Sequence, residues 1–224
     1  GHQRPWFKSL TVKLHGGYLR EGDTITIVFG DTSQGSPGMQ MQTFCERGFE
    51  FKVLADVCAV GHYYPLPKTP HIAIVPGEVH EWKAVLPSLR RLGEAFRLGI
   101  KAEDKWGNPT DQASGRFTLW SSHPVKGLPE KLDYPLGEKS IILDDLSMEE
   151  PGILRIQVLD ESGRCVSEAG PLLIRDGEFS GYWGDLHGQS GESIGITTSR
   201  DYFKFARNRS FLDVTGHQAN DFQV

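Results

Sequence analysis

Short runs that alternate apolar and polar residues, separated by turn residues about every 8 to 12 positions, dominate the chain up to residue 176. In the first half, these runs cover residues 10–15, 24–29, 39–44, 49–57, 71–75 and 80–86. A period of two residues places alternate side chains on opposite faces of a strand, whereas a helix repeats every 3.6 residues. The alternation predicts a mainly β chain of antiparallel sandwiches.

A second set of predicted strands covers residues 96–102, 115–120, 140–143, 153–159 and 170–174. Residues 87–93 (PSLRRLG) separate the two sets and carry no pattern. Residues 104–109 (DKWGNP) and 161–164 (ESGR) predict tight turns. The second set resembles a bacterial Ig-like repeat, in which D-x-x-G-N-P turns are common. We therefore predict two Ig-like antiparallel β-sandwich modules, over residues 1–88 and 89–176.

The pattern changes in residues 177–224, which alternate strand, loop, helix and strand. Residues 182–186 and 211–214 predict two short strands about 28 residues apart, the separation that a βαβ crossover needs. Thr198 or Ser199 is suited to begin the intervening helix as its N-cap. The sequence therefore predicts a parallel βαβ unit after the two β-modules.

Each of these two predicted strands ends at a histidine, His187 after the first and His217 after the second. Parallel neighbours lie about 4.8 Å apart, so imidazoles at their ends can reach one ion through Zn–N bonds of about 2.1 Å. Asp185, His187 and Gln189 alternate along the chain and would face the same side. The other interpretation is that both histidines are ordinary polar residues at strand ends.

The first of these strands also carries a resemblance to a known family. Asp185, Leu186, His187 and Ser190 stand where D-L-H-x-H-S requires them, the opening motif of the PHP (polymerase and histidinol phosphatase) superfamily of metal-dependent phosphoesterases. More narrowly, the chain is similar to a PHP-like family of unknown function in which Y-W-G-D-L-H-G-Q-S opens the barrel. Gln189 stands where the superfamily has its second histidine.

The second superfamily motif, T-D-H, is matched by Thr215 and His217, with Gly216 in place of the aspartate. The resemblance covers about 44 of the 224 residues. It implies that residues 177–224 are an incomplete α/β start of a PHP-like barrel, whose other strands and metal ligands come later. We therefore expect the chain to be an N-terminal fragment of a longer enzyme.

The resemblance also implies the roles of individual residues. The expected metal ligands are His187, His217, Gln189 and Glu192. Gln189 offers only a neutral carbonyl oxygen, a weaker donor than imidazole, and Glu192 is the nearest carboxylate that compensates, with Asp221 a second candidate. Asp185 would accept the other ring N–H of His187 and fix its tautomer. The implied ion is divalent Zn, Mn or Fe, and the fragment alone need not retain it.

The activity implied by the resemblance is hydrolysis of a small phosphorylated or other anionic substrate by metal-bound hydroxide, with the fragment itself inactive. A metal ion lowers the pKa of its bound water from 15.7 toward roughly 7. The rival hypothesis is a β-sandwich module that binds carbohydrate or protein without catalysis. His62, Tyr63 and Tyr64 are a candidate aromatic surface for it, although aromatics more often pack in cores. Self-association through the β-modules or the βαβ edge is a further expected partner interaction.

The charge and hydropathy of the chain exclude some partners. With 24 Lys and Arg against 29 Asp and Glu, the net charge of -5 has the wrong sign for binding nucleic acid. No run of about 18 apolar residues predicts a membrane span. The segment GHQRPWFKSL lacks a signal-peptide pattern, which slightly favours a cytoplasmic location without fixing it. Cys45, Cys58 and Cys165 fit buried free thiols better than a disulfide framework, with a Cys45–Cys58 bridge left open.

Overall fold

The computed structural model describes residues 9–218, and the chain divides into two compact units, residues 1–42 and 43–224. In the described part of the first unit no residue belongs to a strand, so the predicted strands at residues 10–15 and 24–29 are not formed. Their apolar side chains, including Leu10 and Ile25, are exposed. A strand needs a neighbour to pair its backbone N–H and C=O groups, so alternation without a partner does not produce one.

Two small antiparallel sheets begin the second unit. They are built from β1 (Glu46–Glu50), β2 (Leu54–Ala55), β3 (Tyr64–Pro65) and β4 (His71–Ile74). β1 pairs with β4, and β2 pairs with β3. The predicted strand at residues 71–75 is thus β4, whereas the predicted strand at 49–57 is divided between β1 and β2. Of the first predicted module, only the described part after residue 45 contains strands.

Eight strands then form a β-sandwich of two sheets. They are β5 (Glu81–Val85), β6 (Leu89–Arg91), β7 (Phe96–Glu103), β8 (Gly115–Ser121), β9 (Lys131–Tyr134), β10 (Ile141–Leu146), β11 (Gly152–Leu159) and β12 (Cys165–Arg175). One sheet has the order β10-β7-β5 and the other β6-β12-β11-β8-β9, with antiparallel pairing except between β6 and β12. The predicted mainly β class is confirmed. β5 pairs with β7, so this sandwich includes a strand that precedes the predicted boundary at residue 88.

The two sheets enclose a single core. Leu98 and Ile100 of β7 are fully buried in it, together with Leu154 and Ile156 of β11 and Leu172 of β12. These residues alternate along their strands, as expected when one face of each sheet is turned inward. On the opposite face of β7, Arg97 and Lys101 are half-buried and Gly99 and Glu103 are buried. A second layer therefore covers the outer face of β7.

That second layer is the predicted βαβ unit, made of β13 (Gly184–Gly188), α1 (Ser199–Asn208) and β14 (Val214–His217). β13 and β14 pair in parallel, as predicted. Thr198 is the N-cap of α1 and its hydroxyl accepts the N–H of Asp201 at 3.1 Å, which confirms one of the two predicted caps. β14 begins three residues later than predicted because Phe211 takes a left-handed backbone conformation, with φ of 56°.

The sequence also made predictions about membrane-spanning segments and about the three cysteines. The helix α1 has 10 residues. Within residues 9–218, no helix is long and apolar enough to cross a bilayer. All three cysteines are free, so the Cys45–Cys58 bridge is not formed. Cys58 and Cys165 are exposed rather than buried as predicted, and Cys45 is half-buried.

Candidate functional site

The outer face of β7 holds the segment that leads from α1 into β14. Phe211 is buried there against Gly99, where any side chain would overlap the phenyl ring. The Arg97 guanidinium donates hydrogen bonds to the carbonyl oxygens of Phe211 and Leu212, at 3.0 Å for Phe211. The Lys101 ammonium lies 5.6 Å from the Phe211 ring centroid. The sandwich thus fixes the chain immediately before the strand that carries His217.

A buried ion pair fixes the start of both parallel strands. Arg90 is 4% exposed, and its guanidinium lies 3.0 Å from the Asp213 carboxylate. The other oxygen of Asp213 accepts the backbone N–H of Trp183 at 2.9 Å, just before β13. Arg90 also donates to the Gly181 carbonyl and lies 4.6 Å from the centroid of the Tyr182 ring. One arginine of the sandwich therefore contacts the residues before β13 and the residue before β14.

Glu94 makes a second polar connection between the sandwich and the segment before β13. Its carboxylate accepts hydrogen bonds from the hydroxyls of Ser180 and Tyr182 and from the backbone and side chain of Arg91. Partial burial alone would raise the pKa of this carboxyl group, but the hydrogen bonds outweigh it and lower the pKa to about 2. Glu94 is therefore ionised across the physiological range.

His217, at the end of β14, is enclosed by the loop that follows β13. Its Nε2 is hydrogen-bonded to the hydroxyl of Ser190 at 2.8 Å, with the tautomer deciding which atom donates. Ser190 is fully buried, and its oxygen also accepts the backbone N–H of Glu192 at 3.2 Å. The loop therefore holds one nitrogen of the His217 ring in a fixed position.

Two aromatic residues of α1 support the other side of His217. Ring centroids lie 5.9 Å apart for Tyr202 and His217, and 6.3 Å apart for Phe203 and His217. The Tyr202 hydroxyl is hydrogen-bonded to the Thr215 hydroxyl and donates to the Gly216 carbonyl at 3.1 Å. These contacts connect α1 directly to the last residues of β14.

Gly188 is required by the same packing. A Cβ at position 188 would overlap the phenol of Tyr202, so only glycine allows the tyrosine to reach β14. Gly216, which stands where the resembled motif has an aspartate, has its nearest neighbours at 3.7 Å from a Cβ. Position 216 is therefore glycine without a steric need for it.

His187 lies in β13 and its side chain is exposed. The pairing sets Gly188, not His187, opposite His217, because the register shifts between Asp185 and Gly188. The Asp185 carboxylate accepts the backbone N–H of His187 at 2.9 Å. Its predicted bond to the imidazole of His187 stays a prediction, as does the placement of both imidazoles on one ion.

The remaining predicted ligands follow β13. Glu192 is exposed, and its Oε1 accepts hydrogen bonds from the Ser199 hydroxyl at 2.9 Å and the Ser199 N–H at 3.3 Å. One of its oxygens thus lies at the beginning of α1, where the helix dipole favours a negative charge. Gln189 is half-buried in the same loop. Asp221, the second candidate carboxylate, lies outside the described residues.

The predicted metal ligands among the described residues would make only part of a metal centre. Within residues 9–218 no three His, Cys, Asp or Glu side chains are grouped closely enough to hold an ion. Catalytic zinc sites use three protein ligands, so the two imidazoles would need ligands from elsewhere. Chemically, the described part offers a fixed imidazole at His217 and an exposed one at His187 on adjacent parallel strands.

Sequence reasoning did not identify the roles of Tyr202 and Phe203, the aromatic support of His217. Their positions in the predicted helix give no sign of a contact with His217. The hydrogen bond from Ser190 to His217 was also not predicted, since 27 residues separate the two. Position 188 must be glycine because of Tyr202, and nothing near residue 188 in the sequence indicates this.

Comparisons with known proteins found relatives but no function. No family model matches the chain. An uncharacterized protein of Chlamydia pneumoniae is 28% identical over 204 residues, which cover 86% of this chain and 32% of the relative. An uncharacterized protein of Chlamydia muridarum is 26% identical over 188 residues, and one of Chlamydia trachomatis is 27% identical over 181 residues. Each of these two matches covers 77% of this chain and 28% of the relative. The chain thus spans about a third of the length of the relatives it matches.

Proposed function

We propose that this chain is part of a metal-dependent hydrolase of phosphoesters or similar anionic substrates, with His187 and His217 among its metal ligands. The observation that supports it is the parallel pairing of β13 and β14, each with a histidine in its last two residues. In open α/β sheets, ligands bind in the crevice outside the carboxyl ends of parallel strands. The motif residues of the PHP resemblance lie at that end of β13 and β14.

In this proposal the chain's own residues prepare the site. The hydrogen bond between Ser190 and Nε2 of His217 leaves Nδ1 as the nitrogen for an ion. Gln189 would add an oxygen ligand from the loop after β13, and Asp185 would orient His187. Glu192 would add a second oxygen ligand on leaving its hydrogen bonds to Ser199. Further ligands would come from outside residues 9–218. When bound, the ion would lower the pKa of a water molecule to provide hydroxide and would hold the anionic oxygen of the substrate.

Metal content and hydrolysis measured together on the full-length protein test this proposal. We expect the purified wild-type protein to contain a stoichiometric divalent metal by elemental analysis and to hydrolyse p-nitrophenyl phosphate. His187→Ala and His217→Ala should each lose most of the metal and the activity. His71→Ala is the matched control, because this exposed histidine lies in β4, in a separate sheet. Metal content that is equal in all four proteins would refute the assignment.

A second candidate function, binding of carbohydrate or protein without catalysis, is favoured by one feature of the sandwich surface. A cleft of about 510 Å³ lies between β5, β12 and the segment before β13, with Trp183, Pro171 and Leu173 among its lining residues. The Trp183 side chain is exposed, and its indole N–H donates to the Ser88 hydroxyl at 2.8 Å. An exposed tryptophan fixed in this way suits stacking on a sugar ring. Binding to a glycan array that persists in a chelator and is lost in Trp183→Ala would support it over the hydrolase.

A further inference from the structure

A cleft of about 550 Å³ separates α1 from the beginning of β14 and from the outer face of the sandwich. Its lining includes four cations, contributed by Arg97, Arg200, Lys204 and Arg207. Among residues 9–218, Asp213 is the one carboxylate that lines it. These five side chains give the cleft a net charge of +3, although the chain as a whole carries -5.

Three of the cations share one face of α1. Arg200, Lys204 and Arg207 are spaced four and three residues apart, so they follow one another along the helix at neighbouring positions. Lys204 and Arg200 form no ion pair with a carboxylate within residues 9–218. Arg207 uses its Nε to donate to Asn208 at 2.8 Å and has no carboxylate partner in the same part of the chain. Three like charges at such positions repel one another, which an anion in the cleft would relieve.

The fourth cation comes from the sandwich and is fixed. Arg97 is 21% exposed and is held by its hydrogen bonds to the Phe211 and Leu212 carbonyls. The Asp213 carboxylate lies 3.8 Å from Arg97 and 3.0 Å from Arg90. Because Arg90 and Arg97 already neutralise Asp213, this carboxylate opposes an incoming anion only weakly.

We propose that this cleft binds a small anion that carries two or more phosphate groups. A single phosphate would contact one or two of the cations, whereas a chain of phosphates can follow the row of Arg200, Lys204 and Arg207. Guanidinium groups bind phosphate oxygens through paired N–H donors, and an ammonium group binds them as a compact charge. None of the four cations is among the proposed metal ligands, so anion binding in the cleft and metal binding can be tested separately.

Inorganic tripolyphosphate is the probe that tests this site, with binding measured by isothermal titration calorimetry on the full-length protein at low ionic strength. We expect the double variant Arg200→Gln/Lys204→Gln to bind about tenfold or more weakly than the wild type, because it removes two charge-assisted contacts. Both residues lie outside the buried contacts of α1, so thermal unfolding should change little. Binding by the wild type should also weaken as salt is added.

Lys52→Gln/Lys68→Gln is the matched control, since it removes the same charge from exposed residues of the second unit that are not in the cleft. We expect this control to keep wild-type affinity. The proposal is overturned if the wild type does not bind the probe, or if both double variants lose affinity equally. The Arg200→Gln/Lys204→Gln protein should keep wild-type metal content, so the failure of this proposal and that of the hydrolase can be told apart.

Discussion

Replacing Asp213 by alanine should destabilise the protein by about 3 kcal/mol, because it removes one partner of a buried ion pair. Removing one partner of such a pair lowers the free energy of unfolding by about 3–5 kcal/mol when the remaining charge stays buried without a partner. Arg90, at 4% exposed, would stay buried, and Asp213 itself is 15% exposed. Arg90 would keep its hydrogen bonds to the Leu89 and Gly181 carbonyls, so the lower end of the range applies.

Two companion variants separate the ion pair from other effects of the substitution. Arg90→Met/Asp213→Leu removes both charges, and a buried pair replaced by apolar residues of similar size is often close to neutral. This double variant should therefore be more stable than Asp213→Ala. Asp133→Ala is the exposed control, because Asp133 pairs with Arg116 at 2.9 Å where both side chains are more than 60% exposed. An exposed pair contributes about 1 kcal/mol or less.

Urea unfolding followed by tryptophan fluorescence measures these differences, since Trp183 lies directly beside Asp213. A loss of about 3 kcal/mol for Asp213→Ala, with about 1 kcal/mol or less for Asp133→Ala, is the expected outcome. If Asp213→Ala and Asp133→Ala have the same stability, the ion pair does not hold the βαβ unit on the sandwich, and the reasoning fails.

Two further predictions concern Glu94 and Gly188. The folded pKa of Glu94, about 2, lies below the ordinary value of 4.5, so its stabilisation is full above pH 4.5 and is lost as the pH falls toward 2. At about 1.4 kcal/mol per pKa unit, the difference between these two values corresponds to about 3–4 kcal/mol at most. Glu94→Gln should therefore unfold with a flatter pH dependence between pH 4.5 and 2 in urea titrations, and an unchanged slope would contradict it. Gly188→Ala should destabilise by about 1–3 kcal/mol, because the new methyl group overlaps Tyr202, whereas Gly216→Ala should have a much smaller effect in the same thermal melts. Equal melting temperatures for these two alanine variants would show that Tyr202 does not occupy the space beside residue 188.

The βαβ unit was the part of the fold most open to prediction from sequence. Two apolar segments at the right separation, with Thr198 as a cap between them, are local signals, and the structure contains both strands and the helix. The predicted boundaries differ from the observed ones by two residues for β13 and three for β14. For β14, the packing of Phe211 against Gly99 sets where the strand begins. That contact joins residues 112 positions apart, and no local pattern reports it.

Some predicted β-strands form and others do not, and the difference has a physical reason. The strands of the sandwich form because each alternating run has a partner and a shared core, as β7 has in β5 and β10. The runs at residues 10–15 and 24–29 have the same alternation but no partner strand within the described residues, and they are not strands. Sequence alternation reports which face could be buried, whereas pairing depends on a neighbour that the run itself does not specify.

The candidate site was predictable only as a set of positions. The motif letters identified His187, His217 and Ser190, but not that Ser190 would be the hydrogen-bonding partner of His217. Three of the four cations of the cleft could be grouped from the sequence, because Arg200, Lys204 and Arg207 are spaced four and three residues apart and share one helix face. Arg97 belongs to the sandwich and joins them only through the fold.

The outer face of β7 has a consequence for how this protein can change during evolution. Gly99 and Arg97 lie far from His217 in sequence, yet they set the path of the chain that carries it. A shorter protein that kept residues 177–224 without the sandwich would expose Phe211 and Asp213 to water. Asp213 would also lose its partners Arg90 and Arg97. The β-sandwich and the histidine-bearing strands are therefore expected to be inherited, and to vary, as one unit.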